Sequence, residues 1–365
     1  MNKTLLLLLT LSFLITACGP NAQTQDTIKF GAVLPLTGSN AFYGNYAKAG
    51  ITLATEDINQ AGGINGKRLE IVIEDSGGDK ARANLAVQKL IDTDQVQGLF
   101  TVTTPMSGVL APVAESSHIP LVYNSATISF AEGKRYVFKD YSDAAALCEM
   151  LMKQALKDGH TKIALLGMNG EFSLLCKQGA ERIAPLLLSE LYDPGETDFR
   201  TPFVKITASG ATALVISTFP SDCPNIIGQM QEINFKPQLY LPFLQLACGS
   251  KDNTKKYPSA LTNAYGADIA LMEDSQDPDF VTLKKRLEER SWTTQMVGSA
   301  MHYDDTMLLA NAWQGCNGAD CVADNLRKVI NYKGPSGTLS YNGGQIIQRK
   351  YALTHFEDGK WTVVS

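Results

Sequence analysis

Histidine is scarce in this chain, with four residues among 365, and dense basic runs are absent. The histidines are scattered at His118, His160, His302 and His355. None lies close to two cysteines, so the spacing typical of a zinc site is missing. The sequence also lacks a Gly-x-Ser-x-Gly elbow and a phosphate-binding loop. We therefore expect no metal, no cofactor and no enzyme activity, and the net charge of −5 without basic clusters argues against nucleic-acid binding.

One concentration of titratable side chains could suggest chemistry. His302 is followed by Tyr303, Asp304 and Asp305 within a pattern that predicts a helix over 299–312. Adjacent residues of a helix point in different directions, so we do not expect these side chains to share a site. Small molecules and other proteins remain the expected partners.

The N-terminus combines a basic residue with a short apolar run. Lys3 precedes the run 5–15, which is too short to span a bilayer and is typical of a removable signal peptide over 1–17. The string Ile-Thr-Ala-Cys that ends at Cys18 resembles a bacterial lipobox, whose cysteine is acylated. An ordinary signal peptide with an incidental cysteine is the alternative. We expect lipidation of Cys18, a polar tether over 18–25, and a body held in the periplasm or at the outer cell surface by its lipid alone.

Six further cysteines follow Cys18, at Cys148, Cys176, Cys223, Cys248, Cys316 and Cys321. An even number in an exported chain favours disulfides, although six cysteines allow fifteen connectivities. The short turn-forming loop between Cys316 and Cys321 makes that pair the easiest to assign.

Short β-rich runs alternate with amphipathic stretches along the chain. The predicted strands are 28–34, 69–74, 96–100, 121–123, 162–166, 213–217 and 238–241, with a β-rich tail from Thr338. The predicted helices are 45–59, 80–91, 144–157, 174–188, 225–233, 279–289 and 299–312, and Thr201-Pro202 fits a helix N-cap followed by proline. This order predicts parallel sheets covered by helices. The chain is too long for one ordinary core, so we predict an α/β protein with two doubly wound, Rossmann-like lobes.

Several segments carry a resemblance to a known family. They are 28–38 (IKFGAVLPLTG), Tyr43-Gly44, 57–66 (DINQAGGING), Asp75 and Asp79, 111–115 with Ile119-Pro120, 124–127 (NSAT), 197–199 (TDF) and 334–337 (GPSG). From about Ile28 to Val364 the chain resembles the leucine/isoleucine/valine-binding proteins, which are type I periplasmic solute-binding proteins. The resemblance implies two lobes joined by a three-strand hinge. The first lobe would comprise 26–142 and 268–337, and the second 143–267 and 338–365.

The resemblance also implies a function. A small carboxylate-bearing ligand, either an amino acid or an apolar or aromatic acid, would be captured between the lobes of a monomer. A membrane permease of an ATP-binding-cassette importer would then recognise the closed form. A sensory or regulatory lipoprotein that signals to a membrane or cell-wall partner is the alternative.

Family members hold the ligand carboxylate with hydroxyls and main-chain N–H groups at strand ends of the first lobe. The matching residues are Thr103, Thr104, Ser125 and Thr127. Hydroxyls and amides at helix N-termini suit an anion. The alternative is that these residues only form turns and caps, as serine and threonine often do.

Aromatic residues match the family at the rest of the cleft: Tyr43 at its edge, and Phe172 and Phe219 in the second lobe. Phe243 stands where amino-acid binders place an acidic residue for the ligand ammonium, which makes an α-amino acid poorly compensated here. Asp222 or Gln245 could replace that acid. Gly298 stands where the family often has an aromatic residue, which predicts room for a bulkier ligand.

The implied fold also suggests how the cysteines pair. Cys148 and Cys176 would lie in neighbouring helices of the second lobe, and Cys223 and Cys248 would follow two neighbouring strands. We therefore predict Cys148–Cys176, Cys223–Cys248 and Cys316–Cys321.

Overall fold

The computed structural model describes residues 27–219, 221–244, 248–270, 274–293 and 295–364, so the predicted signal peptide and Cys18 lie outside the described residues. The strands are β1 Thr27–Leu34, β2 Arg68–Asp75, β3 Leu99–Val102, β4 Leu121–Asn124, β5 Val137–Lys139, β6 Ile163–Met168, β7 Leu188–Tyr192, β8 Ala213–Ser217, β9 Gln238–Pro242, β10 Tyr265–Ile269, β11 Tyr332–Gly334, β12 Gly337–Ser340, β13 Gln348–Arg349, β14 Tyr351–Glu357 and β15 Lys360–Val363. The helices are α1 Ala41–Gln60, α2 Lys80–Asp92, α3 Thr104–Ser116, α4 Ala144–Lys157, α5 Glu171–Ile183, α6 Arg200–Ala208, α7 Cys223–Glu232, α8 Lys251–Lys256, α9 Pro258–Leu261, α10 Pro278–Glu289, α11 Met296–Trp313 and α12 Ala319–Arg327. Within these residues, no helix has the length and apolar character needed to cross a membrane.

The first sheet has the order β2-β1-β3-β4-β5, and all of its neighbouring strands are parallel. Side chains alternate between its two faces, as strand geometry requires. Phe30 and Ala32 pack into a core with α1, α11 and α12, whereas Val33 packs into a second core with α2 and α3. Both faces are therefore covered by helices, which explains why β1 is almost continuously apolar.

The second sheet has the order β15-β14-β10-β9-β8-β6-β7. Strands β6 to β10 are parallel to one another, whereas β14 is antiparallel to both β10 and β15. Two further cores lie on its faces, one with α6 and α7 and the other with α4 and α5. The prediction of two doubly wound α/β lobes is confirmed.

Helix α11 returns to the first lobe and lies directly against α1. A Cβ atom on Gly50 of α1 would come within 2.0 Å of the carbonyl oxygen of Ser299 in α11, so this close approach requires glycine. Most of α11 is buried because it is surrounded by other elements. The second half of the chain thus completes the core that the first half begins.

Three segments cross side by side between the lobes. The main chain of Lys139 accepts a hydrogen bond from Ile347 N–H at 2.9 Å, and Ala270 N–H donates to the carbonyl of Lys350 at 2.8 Å. The predicted three-strand hinge is therefore present. The predicted lobe boundaries remain a prediction, and Leu339 and Tyr341 favour a later third crossing because they pack in the first core.

The predicted helix over 174–188 is wrong at its C-terminal end. Helix α5 stops at Ile183, and Leu188–Tyr192 is strand β7. Ala184 has an extended backbone, with φ −159° and ψ 153°. The residue before a proline is pushed out of the helical region, so Pro185 ends the helix.

Thr201 is not an N-cap, contrary to prediction. Helix α6 already begins at Arg200, and Phe199 occupies the cap position without a side-chain hydrogen bond. The carboxylate of Asp198 accepts a hydrogen bond from Arg200 N–H at 3.1 Å instead. Asp198, which precedes the helix, therefore accepts a main-chain hydrogen bond of the kind that was predicted for Thr201.

All three predicted disulfides are present: Cys148–Cys176, Cys223–Cys248 and Cys316–Cys321. The first two belong to the second lobe and the third joins the end of α11 to α12. Their Cα separations of 5.2, 5.2 and 5.7 Å lie within the usual range for a disulfide.

Candidate ligand-binding site

The predicted polar residues of the first lobe meet where β3 and β4 end. Val102 is paired with Asn124 in the sheet, and Thr103 N–H donates to the Asn124 carbonyl at 3.1 Å. Thr103 precedes α3 and has φ 76°, an uncommon backbone conformation for a residue with a side chain. Such conformations cluster at binding sites. Thr104 is the first residue of the same helix.

Two hydroxyls at this strand edge are buried without hydrogen-bond partners. Ser125 is 4% exposed and Thr127 is 1% exposed, and neither Ser125 Oγ nor Thr127 Oγ1 has a partner among the described residues. The amide nitrogen of the Asn124 side chain is in the same state. A buried unpaired polar group costs roughly 1–3 kcal/mol. Together with the N-terminus of α3, these donors are suited to an anion.

Three aromatic side chains of the second lobe lie close together. Phe172 is the second residue of α5, Phe219 follows β8, and Phe243 follows β9. The ring of Phe172 lies 4.5 Å from that of Phe243 and 6.3 Å from that of Phe219, measured between centroids. Phe172 thus lies close to both of the other predicted aromatic residues of this lobe, and we call the three residues the aromatic wall.

Phe243 forms the most deeply buried part of this wall. Its side chain is 2% exposed, and its ring stacks on Tyr141 at 5.2 Å with an interplanar angle of 7°. Its φ of 53° is unusual for a bulky residue. Phe243 is therefore packed inside the protein, whereas the side chains of Phe172 and Phe219 are half-buried.

Tyr43 of the first lobe lies close to an aromatic ring of the second lobe. It lies in α1, and its ring is 6.1 Å from that of Phe219 in the second lobe. Burial, and to a smaller extent the charge of Asp222, raise the pKa of the Tyr43 hydroxyl well above its usual value. The hydroxyl is therefore neutral at physiological pH and can act as a hydrogen-bond donor.

The predicted extra room at Gly298 is not there. A Cβ atom on Gly298 would lie 2.8 Å from Cδ2 of Tyr46, so the tyrosine ring already fills this space. Tyr46 is buried and also lies 5.9 Å from the ring of Tyr43. The glycine is explained by an aromatic residue supplied from α1 rather than by a larger ligand space.

Asp222 is an acidic side chain close enough to Tyr43 to contribute to the raised pKa of its hydroxyl. Its Oδ2 accepts a hydrogen bond from Tyr192 Oη at 2.8 Å, and its Oδ1 accepts one from Ser221 Oγ at 2.9 Å. The carboxylate is therefore already held by protein hydroxyls. Gln245, the other predicted substitute for the missing acid, lies outside the described residues.

A buried ionic cluster lies at the hinge beside the cleft. The Arg349 guanidinium binds the Asp140 carboxylate through two hydrogen bonds, one of 2.7 Å from Nε to Oδ1. It also donates to Ser336 Oγ at 2.7 Å. Ser336 in turn donates to Asp304, so the Gly-Pro-Ser-Gly segment links the ion pair to α11.

The prediction that the titratable residues of α11 do not share a site is wrong for His302 and Asp305, which lie three residues apart and contact each other on one face of the helix. Asp304 binds Ser336, and burial raises the pKa of Asp304 to about 7. His302 packs on the ring of Tyr46 at 5.7 Å, and burial lowers the pKa of His302 to about 4. Asp305 lies 3.5 Å from His302 Nδ1, and burial, followed by the nearby charge of Asp140, raises its pKa well above the usual value. In the described part of the chain, no group of three or more His, Cys, Asp or Glu side chains could hold a metal ion.

Sequence reasoning missed Tyr46, Tyr141 and the hinge cluster. Tyr46 lies three residues after Tyr43 on the same helix, a spacing that places both on one face. Tyr141 directly follows Asp140, after the last strand of the first sheet. The spacing could have identified Tyr46, whereas the contact between Asp140 and Arg349 has no local signal.

Two α/β lobes joined by crossing segments, with the unpaired hydroxyls of Ser125 and Thr127 flanking Ala126, which packs in one core with Phe172 and Phe243, define a two-lobed binding protein. A family model described as periplasmic binding protein matches residues 27–360, and the chain belongs to that family. This membership confirms the predicted family and a location outside the cytoplasm. It also confirms the prediction that the chain is a binding protein and not an enzyme.

Individual relatives agree with this assignment. The Leu/Ile/Val-binding protein homolog 7 of Brucella suis biovar 1 (strain 1330) is 24% identical over 331 residues, which are 85% of this chain and 79% of the relative. The substrate-binding protein LivJ of Streptococcus pneumoniae in complex with isoleucine has a TM-score of 0.79 at 20% identity, covering 93% of this chain and 99% of its own. A solute-binding protein of R. palustris in complex with benzoate has a TM-score of 0.79 at 15% identity, covering 93% and 96%. These structures establish the shared fold.

Proposed function

We propose that this chain is a lipid-anchored receptor that captures a small apolar or aromatic carboxylate between its lobes for an ATP-binding-cassette importer. One observation carries the proposal. The buried hydroxyls of Ser125 and Thr127 lack partners beside the N-terminus of α3, and Ala126 between them packs in one core with Phe172 and Phe243. A ligand with an anionic end and an apolar body would complete both halves.

The carboxylate end is favoured because the first-lobe donors are neutral. Hydroxyls and main-chain N–H groups can stabilise an anion without burying a cation beside it. A carboxylate accepts several hydrogen bonds at once, so it suits Ser125, Thr127 and the first turn of α3 together. A neutral amide would satisfy fewer of these donors.

The apolar character of the rest of the ligand is inferred from the aromatic wall. Phe172 and Phe219 offer half-buried rings, and aromatic pairs favour offset or edge-on contacts at about 4.5–7 Å. An α-ammonium group would meet Phe243 where the family has an acid, and Asp222 is already engaged by Tyr192 and Ser221. We therefore favour an aromatic or apolar acid over an amino acid.

Relatives with this fold make both ligand classes reasonable candidates. Structures with TM-scores of 0.73 to 0.79 are described in complex with leucine, isoleucine or benzoate, and a further one with p-hydroxybenzoic acid has a TM-score of 0.78. Their identities of 15% to 21% to this chain support the fold and not the ligand. The choice between the classes rests on Phe243 and Asp222.

Delivery to a permease would follow from closure of the lobes. A ligand that contacts both lobes binds the closed form better and shifts the population toward it. The permease would recognise that form, while acylated Cys18 would keep the receptor at the membrane surface.

A thermal-shift screen of the purified receptor tests the proposed ligand class. Benzoate and p-hydroxybenzoate should raise the melting temperature, because a ligand selective for the folded state stabilises it by mass action. Benzamide, which has the same shape without the charge, is the matched control and should not. Leucine and isoleucine should have little effect. A response to α-amino acids alone would refute the preference for an aromatic or apolar acid.

A further inference from the structure

The aromatic wall is assembled from three separate segments of the second lobe, the start of α5 and the loops after β8 and β9. Phe172, Phe219 and Phe243 follow β6, β8 and β9 respectively. Loops at such strand ends are usually more mobile than the sheet that carries them. The ring of Phe172 nevertheless lies 4.5 Å from that of Phe243 and 6.3 Å from that of Phe219. The segments that carry the rings must therefore be held in a fixed arrangement.

A disulfide joins the parts of the chain that follow two of these segments. Phe219 lies four residues before Cys223, and Phe243 lies five residues before Cys248. The Cys223–Cys248 bond therefore connects the first residue of α7, the helix after β8, to the segment after β9. Both cysteines are buried in the core with α6 and α7, whereas Phe172 and Phe243 pack in the core with α4 and α5, so the bond acts on the rings along the chain and not by direct contact.

The third segment is held in a similar way. Phe172 lies four residues before Cys176 on α5, a spacing that puts both on one side of the helix. The Cys148–Cys176 bond fixes α5 to α4, and α4 packs against the sheet in the same core as Phe243. Each ring of the wall is thus close in sequence to a disulfide.

The backbone of Phe243 gives an independent reason for such support. Its φ of 53° is unfavourable for a bulky side chain and persists only when the surroundings fix it. Stacking on Tyr141 restrains the ring, and the Cys223–Cys248 bond fixes the position of Cys248, five residues further along the chain.

The remaining disulfide has no such relationship. Cys316 and Cys321 are five residues apart, at the end of α11 and in α12. Cys316 packs in the core of the first lobe, far along the chain from any ring of the wall. This bond is therefore a matched control for general effects of losing a disulfide.

We infer that Cys223–Cys248 and Cys148–Cys176 position the aromatic wall for ligand binding, in addition to stabilising the second lobe. The inference rests on the proposed function, because it assigns the wall to the ligand. A wall that is ordered before binding loses less conformational entropy when the ligand arrives, which increases affinity. The cysteines act through the rings and do not themselves contact the ligand.

The test compares the Cys223→Ser/Cys248→Ser variant with the Cys316→Ser/Cys321→Ser control. Titration calorimetry with benzoate should show a dissociation constant at least tenfold higher for the first variant and within about twofold of wild type for the control. Hydrogen exchange of the ligand-free proteins should be faster at 217–219 and 243–244 in the first variant alone. A folded first variant that binds benzoate with wild-type affinity would overturn the inference.

Two further arms keep the test decisive. If wild type does not bind benzoate, the proposed ligand class is wrong. Hydrogen exchange at 217–219 and 243–244 then decides the positioning role by itself. Unchanged exchange at these residues overturns that role. Where the first variant does not fold, Cys148→Ser/Cys176→Ser takes its place. It should weaken benzoate binding and accelerate exchange at 171–175, and wild-type behaviour in both measurements would overturn the inference.

Discussion

The guanidinium of Arg349 and the carboxylate of Asp140 form a two-hydrogen-bond ion pair at the hinge, with the two side chains 3% and 0% exposed. Asp140 belongs to the first crossing between the lobes and Arg349 to the last. A pair this deeply buried is costly to form, but removing one partner leaves an uncompensated buried charge. The pair therefore ties two of the three crossing segments to each other.

Replacing Arg349 with methionine should destabilise the protein strongly. We expect the free energy of unfolding to fall by about 3–5 kcal/mol, because Asp140 would keep its burial and lose its counter-ion. Denaturant unfolding at neutral pH measures this change. Glu232→Gln is the control, since it removes an exposed ion pair with Arg200 and should leave stability unchanged. Equal effects of the two substitutions would contradict the role given to the hinge pair.

The pH dependence of stability should reveal Asp304. Its pKa is raised to about 7, so between about pH 4 and 7 the folded state holds a proton that the unfolded state has lost. Stability from this group therefore decreases as the pH rises through that window, by up to about 1.4 kcal/mol per pH unit. Asp304→Asn removes the decrease, so its stability should fall less steeply with pH than that of wild type.

His302 gives a control of opposite sign. Its pKa is lowered to about 4, so between about pH 4 and 6.5 the unfolded state binds a proton that the folded state does not. Stability from this group increases with pH, and His302→Gln should make the slope more negative than in wild type. Unfolding series at several pH values measure both slopes. Identical slopes in wild type and both variants would contradict this description of α11.

The unpaired hydroxyls should matter for binding and not for folding. Ser125→Ala and Thr127→Val should each weaken carboxylate binding about tenfold, since each removes a donor worth roughly 1.4 kcal/mol. Stability should be unchanged or slightly higher, because a buried group without a partner is removed. Calorimetric titration and denaturant unfolding separate the two effects.

Thr101 provides the matched control for Ser125 and Thr127. It lies on β3, next to strand β4 that ends just before Ser125. Its buried hydroxyl donates to the Val33 carbonyl at 2.8 Å. Thr101→Val should therefore reduce stability by about 1 kcal/mol and leave ligand affinity unchanged. The reverse pattern, with stability lost at Ser125 and affinity lost at Thr101, would place the ligand elsewhere.

Gly298 should tolerate no side chain while Tyr46 is present. Gly298→Ala puts a Cβ atom 2.8 Å from Cδ2 of the tyrosine and should cost about 1–3 kcal/mol of stability. Combining it with Tyr46→Leu should recover part of this loss relative to the sum of the single changes. A double-mutant cycle of unfolding free energies measures the coupling, and a coupling near zero would refute the packing explanation.

The predicted lipid anchor can be tested by fractionation. The full-length chain expressed in a bacterial host should sediment with membranes and partition into detergent, because acylated Cys18 holds it there. Cys18→Ala should be absent from the detergent phase. Equal detergent partitioning of both proteins would contradict lipidation.

Sequence reasoning succeeded where local pattern determines structure. Helix α4 has its predicted bounds because its apolar positions repeat with one clear period, and strand β8 has its predicted bounds because its short, β-branched apolar run is bounded by turn residues. It failed beyond Ile183, where an apolar run without periodicity suits helix and strand equally and Pro185 decides between them.

The site divides in the same way. Residues at strand ends, such as Thr103 and Ser125, can be located once the strands are known. The hinge pair cannot, because Asp140 and Arg349 are separated by 209 residues and neither has a distinctive neighbourhood in the sequence. The space at Gly298 depended on Tyr46, a contact between two helices that only the assembled core reveals.

The most direct test of the account is a crystal structure with the tightest-binding carboxylate from the screen. We predict that the carboxylate lies within hydrogen-bonding distance of Ser125 Oγ and Thr127 Oγ1, with its apolar body against Phe172 and Phe219. A ligand bound in the opposite orientation, with its carboxylate at the second lobe, or bound outside the cleft would contradict the account.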